Sequence, residues 1–185
     1  MPLPAPAPRK LMHRRTVECH GYERDDGLWD IEGRMIDTKT FDVTLPDRGV
    51  VHSGEHFHDM AIRLTVDIDL VVHDAVSTTD FSPNKMCPDI PVDFSVLKGL
   101  AIRPGWILKT RDLLGGVKGC AHLLELLGPI ATTAYQTLYP VRVKRKHDDD
   151  KRPALINSCH AYAATSPLVL QRWPKFYTGA QPNEV

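Results

Sequence analysis

Two histidines and an aspartate stand close together in the sequence, at His56, His58 and Asp59. Imidazole nitrogens and carboxylate oxygens bind transition metals, and they also transfer protons in catalysis. Residues two apart in an extended chain point to the same side, so both imidazoles are predicted to face one metal ion. Asp59 is a candidate ligand or a partner that orients a histidine. A surface histidine pair without a metal fits the same spacing.

Two cysteines are candidate ligands in the second half of the chain. Cys120 lies at the predicted start of a helix and close to Lys118. A helix N-terminus and a lysine both favour the thiolate form. The alternative for Cys120 is a small buried residue on the apolar stripe of that helix. Cys87 lies between two prolines in a turn-rich segment, where loops can hold ligands.

Five further residues are candidates for acid–base catalysis. His122 and Glu125 are three apart in a predicted helix and therefore share a face. Asp30, Glu32 and Arg34 alternate along a predicted strand and share one side of it. Paired carboxylates catalyse when their surroundings separate their pKa values. A solvated sheet face with cross-strand ion pairs has the same pattern.

The elements that must position these residues begin with a strand. Apolar and polar residues alternate from Met60 to Val72, which predicts a long strand over about residues 57–72 with one buried face. Residues 73–79 continue as a short strand or a bend. Residues 11–24 and 28–38 predict an earlier hairpin, because the Asp-Gly step between them readily adopts the dihedral angles of a tight turn.

Helices are predicted in the second half. A short helix starts at Pro91 or Asp93, another covers residues 106–114, and a longer helix begins near Val117. Gly128-Pro129 is predicted to kink or split the longer helix. These patterns predict an α+β fold, an N-terminal antiparallel β-meander packed against C-terminal helices.

The domain organisation follows from composition along the chain. Residues 1–10 contain four prolines and predict a disordered arm. Residues 11–143 are predicted to form a single α+β domain. Residues 144–152 form a mixed-charge loop, and residues 153–185 a C-terminal tail that packs its aromatic side chains on the domain.

The bulk properties limit the partners and the compartment. The 185 residues carry 23 basic and 23 acidic side chains, so the formal net charge is zero and no nucleic-acid partner is indicated. No apolar run approaches the roughly 20 residues that span a bilayer, so no membrane partner is predicted. The sequence lacks the pattern of a signal peptide, which predicts a cytoplasmic protein with cysteine thiols or ligands instead of disulfides. The oligomeric state is left open.

One resemblance covers most of the chain. The segment GYERDDGLWDIEGR at residues 21–34 is followed by Asp37-Thr38-Lys39, by His58-Asp59-Met60 and by Gly119-Cys120-Ala121-His122-Leu123. This set resembles an uncharacterised bacterial family, a domain of unknown function. The resemblance implies no activity.

A second resemblance concerns residues 54–138. The order of parts resembles that of the NifU/IscU-type iron–sulfur scaffold proteins, in which three cysteines and an aspartate bind zinc or a nascent cluster. The resemblance implies that Cys87 matches the middle cysteine, that Cys120 approximates the last and that Asp59 matches the aspartate. Glu55-His56-Phe57-His58 stands where the first cysteine would be. That departure makes zinc or mononuclear iron as compatible with these residues as a cluster, or leaves a site without a metal.

These observations give one leading function and two alternatives. The leading hypothesis is a metal-binding protein or small metalloenzyme for zinc or iron, with the ligands His56, His58, Asp59, Cys87 and Cys120. The first alternative is a metal-free enzyme for a small-molecule substrate that uses a carboxylate, arginine and histidine acid–base set. The second alternative is a non-catalytic scaffold or assembly protein.

Overall fold

The computed structural model describes residues 3–89, 93–145 and 151–180. The chain divides into two compact units, Met1–Arg142 and Val143–Val185. The first unit contains a four-stranded antiparallel sheet in the order β1-β2-β5-β6, and helices follow it in the sequence. The fold is therefore of the α+β class, as the sequence predicts. None of the helices in the described ranges has the length and apolar character needed to cross a bilayer.

The bounds of the elements in the described ranges are as follows. The strands are β1 (His13–Glu23), β2 (Trp29–Lys39), β3 (Val43–Leu45), β4 (Gly49–Val51), β5 (His56–Val66) and β6 (Val72–Phe81). The helices are α1 (Trp106–Leu114), α2 (Ala121–Lys144) and α3 (Pro167–Arg172). Short 3₁₀ turns cover Cys87–Asp89, Phe94–Leu97, Gly116–Lys118, His160–Tyr162 and Pro174–Phe176. Strands β3 and β4 form a separate two-stranded ribbon.

The predicted hairpin is confirmed as β1 and β2. Its register runs from His13 opposite Lys39 to Glu23 opposite Trp29 without an irregularity. Gly27 in the connecting turn has a φ of 80°, which a residue with a side chain rarely adopts.

The strand predicted over residues 57–72 is wrong at its C-terminal end, because β5 stops at Val66. A tight turn follows, in which Asp67 Oδ1 accepts the backbone N–H groups of Asp69 at 2.9 Å and Val71 at 3.0 Å. Leu70 adopts a φ of 64° in this turn and is still buried. The alternation of apolar residues in the sequence therefore extends beyond β5 into this turn, where Leu70 is buried.

The helical half follows the predicted bounds in part. The short helix predicted to start at Pro91 or Asp93 is a single 3₁₀ turn, and Pro91 lies outside the described residues. Asp93 caps the 3₁₀ turn at Phe94–Leu97 through its side chain, and α1 covers the predicted residues. Helix α2 begins at Ala121, later than the predicted Val117, because the intervening residues form a 3₁₀ turn. It continues without interruption through Pro129, so this proline does not split it.

The core of the first unit lies between the sheet and α2. The buried side chains of α2 are Leu123, Leu126, Leu127, Ile130, Ala134 and Leu138. They belong to one apolar cluster with Trp29, Ile31 and Met35 of β2 and Met60, Ile62, Leu64 and Val66 of β5. Trp106 of α1 joins this cluster and donates its indole N–H to the Leu127 carbonyl at 3.1 Å. Most of the polar residues of β2 and β5 lie on the other face of the sheet, because residues of alternate parity face opposite sides of a strand.

The second unit has an apolar cluster of its own. Ile156, Ala164 and Val169 are buried there, and Trp173, Phe176 and Tyr177 pack against them. The aromatic residues of the predicted tail thus have partners inside their own unit. The packing of this tail on the sheet domain stays a prediction.

The closeness of α2 to the sheet gives a test of the fold. A Cβ on Gly33 would lie 2.6 Å from Ile130 Cγ1 and 2.8 Å from Cδ1, whereas a Cβ on Gly128 would meet Ile107 Cδ1 at an ordinary 3.7 Å. Gly33→Ala should therefore lower the free energy of unfolding by about 1–3 kcal/mol. Gly128→Ala, at a helix position, should raise it by up to about 1 kcal/mol. Urea denaturation measures both, and equal effects would contradict this packing.

Candidate metal centre

A buried pair of polar side chains joins β2 and β5. Asp37 and His58 are opposite each other in the strand register, and both side chains face α2. The Nδ1 atom of His58 lies 2.9 Å from Oδ2 of Asp37. Asp37 is only 1% exposed and His58 only 7% exposed, so the two groups interact without much solvent screening.

Strand β1 supplies further partners of the Asp37 carboxylate. Arg15 donates from Nε to Oδ1 and from Nη2 to Oδ2, each at 2.8 Å. His13 Nε2 lies 3.1 Å from Oδ1. Burial alone would raise the pKa of Asp37, but the hydrogen bonds from Arg15 and His58 outweigh burial and lower that pKa to about 2. The carboxylate is therefore ionised over the whole physiological range.

The first turn of α2 brings a second imidazole to this pair. The ring centroid of His122 lies 4.0 Å from that of His58, and the two rings are tilted by 36°. Burial and the adjacent His122 lower the pKa of His58, and the Asp37 carboxylate opposes this only in part. His58 is therefore a neutral imidazole at neutral pH.

Asp37, His58 and His122 form a compact group of possible ligands. One side-chain donor atom from each lies within 4.8 Å of the other two. Two atoms that each bind the same ion at about 2.0–2.2 Å lie at most about 4.4 Å from each other. A small movement of these side chains would therefore bring the three donor atoms within reach of one ion. This group is called the Asp37–His58–His122 site below.

Two more sequence candidates border this site. Cys120 Sγ lies 3.9 Å from His122 Nδ1, and Glu125 Oε2 lies 2.6 Å from Arg15 Nη1. Cys120 is two residues before His122, and side chains at that spacing in a helix do not face each other. It contacts His122 because it precedes the first helical residue, where the backbone is not yet constrained to the helical spacing.

The other predicted histidine contacts a different carboxylate. Asp37 pairs with His58 and Thr38 pairs with His56, so a β-bulge leaves Phe57 without a partner in the register. His56 Nδ1 lies 2.9 Å from Oδ2 of Asp59. The two imidazoles therefore do not meet at one point, contrary to the expectation for an ideal strand.

Asp59 is held by a cation on the sheet face opposite α2. Arg34 donates two hydrogen bonds to it, from Nε and Nη2, each at 2.7 Å. These hydrogen bonds lower the pKa of Asp59 in spite of burial. Of the five ligands predicted from the sequence, His58 is the one that lies in the Asp37–His58–His122 site within the described ranges. Cys87 begins a 3₁₀ turn and is half-buried.

The predicted acid–base residues of β2 lie on the sheet face opposite the site, because residues of alternate parity face opposite sides of a strand. Asp30 accepts a hydrogen bond from Thr65 Oγ1 at 2.6 Å, and Glu32 lies 3.7 Å from Arg63. Glu32 and Arg34 line an open concavity of about 520 Å³. Their role as an acid–base set stays a prediction.

Sequence reasoning did not find Asp37, Arg15 or His13. One signal was available for Asp37, since it continues the odd-numbered side of β2 on which Ile31 and Met35 are buried. A carboxylate at the end of such an apolar row needs partners. Nothing local to β1 indicates that Arg15 and His13 supply them.

Comparison with known proteins places the chain in a family. Residues 13–136 match the sequence profile of DUF2889, which is described as a protein of unknown function. The chain belongs to this family. The DUF2889 match includes the three residues of the Asp37–His58–His122 site as well as Arg15 and Glu125. No curated protein and no solved structure matches the chain, so these comparisons do not support the resemblance to iron–sulfur scaffold proteins.

The low pKa of Asp37 predicts an acid-sensitive contribution to stability. The folded-state pKa of about 2 is below the ordinary 3.8, so the contribution is complete above about pH 4 and is lost as the pH falls through about 2. Its size is about 2 kcal/mol. The free energy of unfolding of wild type should fall more steeply over this range than that of Asp37→Asn. Asp25→Asn, in the exposed β1–β2 turn, is the control and should keep the wild-type slope.

Proposed function

We propose that this DUF2889 chain is a metal-binding protein whose Asp37–His58–His122 site holds one zinc or iron ion. The observation that carries the proposal is the convergence of three donor side chains from β2, β5 and α2 within 4.8 Å of one another. Two of the three are buried. Buried ionisable groups with shifted pKa values are enriched at functional sites, which makes the convergence informative.

The donor set suits these metals. Two imidazoles and one carboxylate are the ligands of mononuclear iron(II) sites and of many catalytic zinc sites. Three protein ligands leave at least one coordination position for water or substrate. A zinc ion with such an open position supplies an activated water for hydrolysis, so a small metalloenzyme is the extension of this proposal.

The surrounding contacts prepare the three side chains for an ion. His58 Nδ1 lies 2.9 Å from Asp37 Oδ2, and binding of an ion by these two residues would require release of the proton that they share. His58 is neutral at neutral pH, which leaves its imidazole free to coordinate. Arg15 and His13 bind Oδ1 and Arg15 also binds Oδ2, so Asp37 keeps its orientation when His58 gives up its proton.

A second function is favoured by the same hydrogen bond of 2.9 Å. If His58 donates from Nδ1 to Asp37, its Nε2 atom is an acceptor that can take a proton from a substrate. A buried carboxylate that orients an imidazole in this way is the arrangement of metal-free general bases. This enzyme would use His58 and Asp37 in place of Asp30, Glu32 and Arg34, which the sequence predicts as the acid–base set.

Metal titration separates the two functions. Protein freed of metal by a chelator is titrated with Zn²⁺, and with Fe²⁺ under anaerobic conditions, by calorimetry. We expect one ion per chain, with affinity reduced at least about 100-fold in His58→Ala and in His122→Ala. His56→Ala is the matched control, since this neighbouring imidazole contacts Asp59, and it should bind like wild type.

Two results would contradict the metal site. One is a wild-type protein that binds neither ion, which would leave the His58–Asp37 base as the better function. The other is a loss of affinity in His56→Ala as large as in His58→Ala, which would favour the ligand set predicted from the sequence. Circular dichroism of each variant identifies any loss caused by unfolding.

A further inference from the structure

The guanidinium of Arg15 binds Asp37 along one edge, and its remaining nitrogen, Nη1, binds a different carboxylate. Its Nε and Nη2 atoms bind Asp37, which is 1% exposed. Its Nη1 atom donates to Glu125 Oε2 at 2.6 Å. The Arg15 side chain is 33% exposed and that of Glu125 is 58% exposed, so this second contact lies at the surface.

We propose that the carboxylate of a small organic acid replaces the Glu125 carboxylate on Arg15 Nη1, and that such acids are the substrate class of the site. The inference rests on the proposed function for the role of the metal. It goes beyond that function because it assigns the ligand chemistry and a recognition residue. Glu125 then acts as an internal competitor that occupies Arg15 when no ligand is bound.

The chemistry of the ligand follows from Glu125 itself. This side chain shows that a carboxylate reaches Nη1 with the short distance of a charge-assisted hydrogen bond. The planar guanidinium is held in place by its two bonds to Asp37, so the outward donor keeps its direction when Glu125 leaves. A preorganised donor of this kind binds a carboxylate without a further loss of side-chain entropy.

The position of Arg15 connects this donor to the site. Arg15 Nη2 and His58 Nδ1 contact the same atom, Asp37 Oδ2, at 2.8 and 2.9 Å. A carboxylate bound at Nη1 is therefore held beside the Asp37–His58–His122 site. When a divalent ion is bound and Glu125 has moved away, the combined positive charge of the ion and Arg15 exceeds the negative charge of Asp37. The excess favours an anionic ligand over a neutral or cationic one.

Exchange with Glu125 requires little energy. An exposed ion pair favours its closed form over its open form by only about 1.4- to 5-fold. The apparent affinity for an external carboxylate is reduced by the fraction of Arg15 that is free. Removing the competing charge should therefore strengthen binding by about 2- to 6-fold.

Acetate is the probe for the experiment. Its dissociation constant is measured by NMR titration at constant ionic strength, for zinc-loaded protein and for metal-free protein. Glu125→Gln should bind acetate about 2- to 6-fold more tightly than wild type. Glu18→Gln is the matched control, because Glu18 is an exposed carboxylate 3.3 Å from a histidine nitrogen on the other face of β1, and it should bind acetate like wild type.

A substitution of Arg15 completes the test. Arg15→Lys keeps the charge but loses the planar fork, so acetate binding should be lost. Zinc content and circular dichroism are recorded for this variant, because Arg15 also holds Asp37. If Arg15→Lys does not fold, the comparison of Glu125→Gln with Glu18→Gln decides the question, since neither change touches Asp37.

The outcomes distinguish this inference from the proposed function. Equal acetate affinities in wild type, Glu125→Gln and Glu18→Gln would overturn the inference, even if zinc binds normally. Retained acetate binding in a folded Arg15→Lys variant would also overturn it. If wild type binds no zinc, the metal proposal fails by itself, and the titration of metal-free protein still decides whether Arg15 selects carboxylates.

Discussion

The buried negative charge of Asp37 is the constraint on which the arrangement of this domain depends. An ionised carboxylate inside a protein is strongly unfavourable unless hydrogen bonds and opposite charge compensate it. Here Arg15 and His13 approach from β1 and His58 approaches from β5. One side chain on β2 thus connects three neighbouring strands. Arg15 also reaches Glu125, so the start of α2 joins the same network.

The two faces of the sheet carry separate polar networks, and a single irregularity separates them. The bulge at Phe57 turns His56 toward Asp59 and Arg34, whereas His58 faces Asp37 and α2. Without the extra residue, both histidines would lie on one face. A bulge therefore decides which imidazole is buried beside the helix and which one is half-exposed.

Local features of the sequence predicted much of the fold, and distant pairing determined the site. The Asp-Gly turn and the alternation after His56 act within a few residues, so the β1–β2 hairpin and most of β5 were predictable. The end of β5 was not, because the apolar alternation continues through the turn at Asp67. His58 and His122 were recognised by residue type. Their partnership with Asp37 depends on the register of β2 against β5 and on the placement of α2, which spacing along the chain does not encode.

The contact of α2 with glycines of the sheet has a consequence for the chemistry. At Gly21 and Gly33 the side chains of Thr137 and Ile130 occupy the space that a Cβ would fill, which sets the height of the helix above the strands. His122 belongs to that helix, whereas Asp37 and His58 belong to strands of the sheet. The distance from His122 to Asp37 and His58 is therefore set by core residues that lie outside the site. Because the donor atoms of Asp37, His58 and His122 lie within 4.8 Å of one another, a shift of α2 by one helical rise, about 1.5 Å along its axis, would carry His122 away from the spacing that a shared ion requires.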